Sequence, residues 1–76
     1  MSEANLPPAN IEAEEAILGG ILFDPQAISR IEAILNPQAF YAIAHQEIYQ
    51  TCLQLDRQGK STDFISVSTH LSDAFG

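Results

Sequence analysis

The sequence has little of what several classes of protein require. It contains a single cysteine, Cys52, so no disulfide within the chain can hold the core. Only three basic residues oppose ten acidic ones, and the resulting formal charge of −7 repels phosphate backbones and anionic lipid surfaces. No apolar run approaches the ~18 residues that span a bilayer, and the N-terminus lacks the pattern of a signal peptide. These absences favour a cytoplasmic protein whose partners are proteins rather than nucleic acid or membrane.

The length of the chain allows one small domain. A chain of 76 residues has a marginal core, although a hydrophobic content of 46% is ordinary for a globular protein. Pro7 and Pro8 fix the backbone angles ahead of Asn10 and disfavour a helix there. We therefore predict an extended segment over residues 1–10 and a helical domain over residues 11–76.

The spacing of apolar residues predicts two helices in the first half of the domain. The first runs from Ile11 to Phe23 with Asn10 as its N-cap. Gly19-Gly20 weakens this helix, and we favour close helix packing over a hinge as the reason for the pair. Asp24-Pro25 begins the second helix, because aspartate caps and proline suits the first helical position. Its apolar face consists of Ala27, Ile28, Ile31, Ile34 and Leu35.

The second half predicts two further helices after a short turn that ends near Phe40. The third helix runs from Ala42 to Gln58, and Gly59 supplies its left-handed stop. Its predicted buried residues are Ala44, Ile48, Cys52 and Leu55. Asp63 caps a fourth helix that has Phe64, Val67, Leu71 and Phe75 on one face. Residues 65–71 also alternate as a strand would, but an isolated strand has no partner in this chain. The predicted fold is all-α, a small orthogonal bundle of about four short helices.

No pattern in the sequence predicts a catalytic, cofactor-binding or metal site. Gly59-Lys60-Ser61 matches the end of a phosphate-binding loop, but Gln54 stands where that loop needs a glycine, and a helix precedes it. His45 and Cys52 lie about 10 Å apart along one helix, too far for a nucleophile and its base. Cys52 is expected to be a small core residue, and His45 a packed or hydrogen-bonded histidine.

Glu14 is the exception to the expected pattern of charges. On a helical wheel it falls within the apolar stripe of the first helix, where a carboxylate must find a hydrogen-bond donor. Backbone amides at a neighbouring helix start, or the hydroxyl of Tyr41 or Tyr49, are the expected donors. The alternative is that Glu14 contacts a partner protein. The candidate structural or interface residues are Glu14, Tyr41, His45 and Tyr49.

Several stretches, taken in order, resemble the N-terminal domain of the bacterial replicative DNA helicase, the DnaB family. They are Leu6 to Glu14, Ile17 to Leu22, Phe40-Tyr41 with Ala44-His45 and Ile48-Tyr49, and Gly59 to Asp63. In that family these residues form a helical head, followed by a helical hairpin, a linker and a RecA-like ATPase domain. The resemblance implies that residues 11–76 are the head, truncated before the hairpin.

The resemblance implies a function in assembly rather than in catalysis. Domains of this type form a collar around the strand channel of a hexameric, ATP-driven helicase and help to recruit primase. The expected partners are subunits of the same family in a ring and primase, without direct nucleic-acid binding by this part. ATP and magnesium belong to the motor domain, so the fragment itself is not expected to be an enzyme. The alternatives are a stand-alone acidic helical adaptor and an acyl-carrier-like protein, although the Asp-Ser-Leu triplet of a carrier is absent.

Overall fold

The computed structural model describes residues 10–75, and this part of the chain is all helical. Its elements are α1 (Ile11–Phe23), α2 (Ala27–Ile31), a 3₁₀ turn (Pro37–Ala39), α3 (Ile43–Arg57) and α4 (Phe64–Phe75). The predicted fold class is confirmed, and the alternative strand over residues 65–71 is wrong. The predicted extended segment over residues 1–10 lies, apart from Asn10, outside the described residues.

Helix α1 begins and ends where the sequence predicts. The side chain of Asn10 accepts a hydrogen bond of 3.0 Å from the backbone amide of Ala13. The predicted close packing at Gly19 and Gly20 is wrong, because a Cβ atom added to either residue would meet nothing within 4 Å. Both glycines lie on the exposed side of the helix.

Helix α2 is shorter than predicted. It begins at Ala27, and the carboxylate of Asp24 accepts from the amide of Gln26 at 3.2 Å in the turn before it. After Ile31 the chain leaves the helix, so the predicted apolar face does not continue: Leu35 is half-buried and Ile34 is 83% exposed.

A long-range contact holds the segment that follows α2. The hydroxyl of Tyr49 in α3 donates to the backbone carbonyl of Leu35 at 2.8 Å. The amides of Ile34 and Leu35 both donate to the carbonyl of Ile31, which closes a turn rather than extending a helix. This turn directs Leu35 toward the core and Ile34 toward solvent.

Helix α3 agrees with its predicted bounds to within one residue at each end. Gly59 has a φ of 75°, in the left-handed region, and the amide of Lys60 donates to the carbonyl of Leu55 at 2.9 Å. Cys52 and Leu55 are buried as predicted, but Ala44 is exposed. The first turn of α3 faces α1 through His45 instead, as described below.

Helix α4 has the predicted cap and a different buried face. Asp63 Oδ1 accepts from the amide of Ser66 at 2.8 Å. Val67 is buried and Leu71 half-buried, whereas Phe64 is 67% exposed because α4 enters the core only one turn later, at Val67. The predicted place of the Phe75 side chain on the apolar face lies outside the part of the chain whose side chains are described.

Helix α3 is the centre of the bundle, because it contacts α1, α2, the 3₁₀ turn and α4. The buried apolar side chains come from every α-helix and from the end of the 3₁₀ turn. They are Leu18, Ile21, Ile28, Phe40, Tyr49, Cys52, Leu53, Leu55 and Val67. Within residues 10–75, no helix has the length and apolar character needed to cross a bilayer.

Candidate functional site

The carboxylate of Glu14 lies where α1 meets the start of α3. Only 8% of the residue is exposed, because the stripe of α1 that carries it faces the core. Its Oε2 accepts from the backbone amide of Tyr41 at 2.7 Å, and its Oε1 accepts from the amide of Ala42 at 3.3 Å. Two donors at a helix start therefore converge on one buried carboxylate.

The third partner of Glu14 is the imidazole of His45. Its Nδ1 lies 2.8 Å from Oε1 of Glu14, and both side chains are nearly buried. An ionised carboxylate can only accept, so this geometry assigns the hydrogen to Nδ1. The amide of Tyr41, then His45 and, less strongly, the amide of Ala42 hold the pKa of Glu14 below its ordinary value, against the opposing effect of burial. We call these four residues the Glu14 cluster.

The Glu14 cluster supplies a cap that α3 lacks. The N-cap of α3 is Ala42, whose side chain has no acceptor for the free amides of a helix start. Glu14 instead accepts from the amides of Tyr41 and Ala42, which come just before the first helical residue Ile43, and places a negative charge near the positive end of the helix dipole. The cluster therefore fixes the position of α1 against the first turn of α3.

The two candidate tyrosines lie in different environments, and the described partners of Glu14 include neither hydroxyl. The side chain of Tyr41 is 71% exposed, although its amide binds Glu14. Tyr49 is buried, donates to Leu35 and packs against Phe40 with 5.2 Å between ring centroids. The sequence analysis named backbone amides at a helix start as possible donors to Glu14, and these are the donors found. It did not predict the bond between Glu14 and His45.

Cys52 and the Gly59-Lys60-Ser61 segment lie in settings that do not suit a nucleophile or a phosphate-binding loop. Burial raises the pKa of Cys52 to about 11, so its thiol stays protonated and unreactive. No three histidine, cysteine or carboxylate side chains lie together as metal ligands within residues 10–75. Gly59-Lys60-Ser61 follows helix α3 rather than a strand, which is not the setting of a phosphate-binding loop.

Comparison with known proteins assigns the chain to a family. The family model described as the DnaB-like helicase N terminal domain matches residues 6–74. The chain belongs to this DnaB family. A crystal structure of the N-terminal domain of DnaB helicase from Mycobacterium tuberculosis matches with a TM-score of 0.84 and 35% identity, over 90% of this chain and 49% of that one. The all-α head of a DnaB-type domain is therefore the fold.

Curated relatives of the DnaB-type domain are replicative helicases. The replicative DNA helicase DnaB of a Nostoc species is 60% identical over 68 residues, which cover 90% of this chain and 8% of that protein. The replicative DNA helicase DnaC of Bacillus subtilis is 41% identical over 68 residues, with coverage of 90% and 15%. The chain thus spans a small part of the relatives it matches, and the adaptor and acyl-carrier alternatives are not favoured.

Proposed function

We propose that this DnaB-type domain serves ring assembly and primase docking in a hexameric replicative helicase of the bacterial cytoplasm. The parent protein would unwind duplex DNA with ATP and magnesium, which bind its motor domain. The observation that carries the proposal is the family match over residues 6–74 together with relatives that are replicative DNA helicases.

The chemistry of the domain supports a role in protein contacts. A formal charge of −7 opposes binding to the phosphate backbone of DNA. Several large apolar side chains are exposed on the described surface, among them Phe23, Tyr41, Ile43, Phe64 and Ile65. Large apolar side chains that lie together on a surface are typical of regions that contact other proteins.

The experiment compares the full-length helicase that carries this domain with a variant from which residues 1–76 are deleted. We expect the variant to keep DNA-stimulated ATP hydrolysis, to lose primase binding in biolayer interferometry, and to form a less stable ring in mass photometry. A deletion variant that binds primase and forms rings as the intact protein does would contradict the proposal.

A further inference from the structure

A groove of about 900 Å³ runs between α2, the segment that follows it and the C-terminal half of α3. Its volume lies within the range of ligand-binding clefts in proteins, ~300–1,000 Å³. Leu35 and the largely buried Leu53 give it an apolar floor. The hydrogen bond from Tyr49 to the carbonyl of Leu35 fixes the α2 side of the groove to α3. We call this cleft the α2–α3 groove.

Polar side chains that make no side-chain hydrogen bond or ion pair within the described residues line both walls of the α2–α3 groove. Glu32 lies on one wall and Asp56 on the other, and the ion pairs found among the described residues involve neither. Asn36 makes no capping hydrogen bond, and the side-chain amides of Gln50 and Gln54 also face the groove. Arg57 is the one cation of the lining, so the two carboxylates leave an excess of one negative charge.

These groups suit an extended peptide more closely than a nucleotide or a lipid. Side-chain amides can donate to and accept from a peptide backbone. The apolar floor can pack against an aliphatic side chain, and a carboxylate can accept hydrogen bonds from an ammonium or guanidinium group. A phosphate group would meet Glu32 and Asp56, which repel it. From the charge of the lining, we propose that the α2–α3 groove binds an extended segment of a protein partner that carries a lysine or arginine next to an aliphatic residue.

The proposal deepens the proposed function, on which it rests for the view that the domain docks proteins. Peptide binding by the groove can be measured without a helicase ring and without primase, whereas the proposed function requires both. If the deletion experiment contradicts the proposed function, peptide binding to the α2–α3 groove can still be measured. If the groove binds no peptide, the role in ring assembly and primase docking is still tested by the deletion.

The test uses the purified 76-residue chain, labelled with ¹⁵N, and two short capped peptides of valine and serine. One peptide carries a central lysine and the other a glutamate at the same place. We expect the lysine peptide to shift the amide resonances of the groove residues in a saturable manner. The glutamate peptide should bind about tenfold more weakly or not at all, because a charge-assisted hydrogen bond is lost.

A matched pair of double variants separates the groove from the general negative charge of the chain. Glu32→Gln with Asp56→Asn should remove the preference for lysine, whereas Glu12→Gln with Glu15→Gln makes the same change of charge on α1 and should keep it. All four residues are at least partly exposed, so both variants should fold. Three outcomes would each overturn the proposal. They are resonance shifts spread over all acidic residues, an equal loss of lysine preference in the two double variants, and no saturable shift with the lysine peptide.

Discussion

At the scale of single residues, Glu14 is the side chain that joins distant parts of the chain. It lies 27 residues before Tyr41 and 31 before His45, and it binds both. No other described carboxylate receives hydrogen bonds from two backbone amides of another helix start. Its removal therefore leaves three partly buried donors without their acceptor, which costs more than the loss of one exposed bond.

We expect Glu14→Ala to lower the midpoint of urea unfolding several-fold more than Glu12→Ala or Glu15→Ala. The two control residues are exposed on the same helix, where substitutions change stability little. Urea unfolding of the three variants at neutral pH measures this. Equal shifts would mean that Glu14 is only another acid of the first turn, and an unchanged midpoint with weakened primase binding would favour the interface interpretation.

The pH dependence of Glu14 has a defined sign. The ordinary pKa of this carboxyl is 4.5, and the amide of Tyr41 and His45 lower it in the folded state. The stability that ionised Glu14 contributes is therefore fully present above about pH 4.5 and is lost as the pH falls through the lowered pKa. We expect the difference in stability between the wild-type chain and Glu14→Gln to shrink as the pH falls below about 4.5. A difference that is constant over this range would contradict the assignment.

Thr62 is a second residue whose environment predicts a measurable effect. It is 1% exposed, and its hydroxyl oxygen has no hydrogen-bond partner among the described residues. Thr62→Val removes this hydroxyl while keeping the branched shape, so we expect a gain of ~1 kcal/mol in the free energy of unfolding. Thr69→Val, at an exposed position of α4, is the control and should change little. A loss of stability in Thr62→Val would mean that the hydroxyl is bonded.

At the scale of elements, the described glycines differ in the expected effect of an alanine substitution, which is stabilising within α1 and destabilising after α3. Gly20→Ala should raise the free energy of unfolding by ~0.5–1 kcal/mol, because the position is helical and a Cβ meets nothing. Gly59→Ala should lower it by ~1–2 kcal/mol, because the φ of 75° is strained for alanine. Gly19→Ala should behave as Gly20→Ala does. Thermal unfolding of the three variants measures the effects, and a destabilised Gly20→Ala would indicate a contact that the structure of the single chain does not contain.

The helices themselves show where sequence patterns suffice. Asn10, Gly59 and Asp63 each act on the backbone within a few residues, and the ends that they define were predicted closely. The end of α2 was not, because it depends on Tyr49 in another helix. Apolar spacing at residues 34 and 35 is compatible with a helix, whereas in the structure this segment forms a turn whose Leu35 carbonyl is bound by Tyr49 of α3.

At the scale of the whole molecule, charge and fold predict the behaviour of the isolated chain. We expect it to bind neither ATP nor DNA at physiological salt, since its charge is −7 and its Gly-Lys-Ser segment follows a helix. Fluorescence anisotropy with labelled single-stranded and duplex DNA, and with a labelled ATP analogue, measures this. Saturable binding to any of these probes would contradict it.

The isolated chain is also expected to be monomeric or weakly associating. The chain corresponds to 49% of the solved DnaB N-terminal domain that it matches, so in isolation it offers only part of the surface of such a domain for pairing. Sedimentation velocity over a range of micromolar concentrations tests this expectation. A tight dimer would show that the head carries a strong interface of its own.

The sequence by itself determined the all-α class, the first and third helices, the cap of the fourth and the need of Glu14 for a donor. These follow from interactions over a few residues and from the cost of burying a charge. The tertiary structure alone decided that Tyr41, Ala42 and His45 are the donors, that Ala44 and Phe64 are exposed and that α2 stops at Ile31. Such features depend on how the helices are positioned relative to one another. The spacing of residues along one helix does not specify that position, because a helix face can meet its neighbour in several registers.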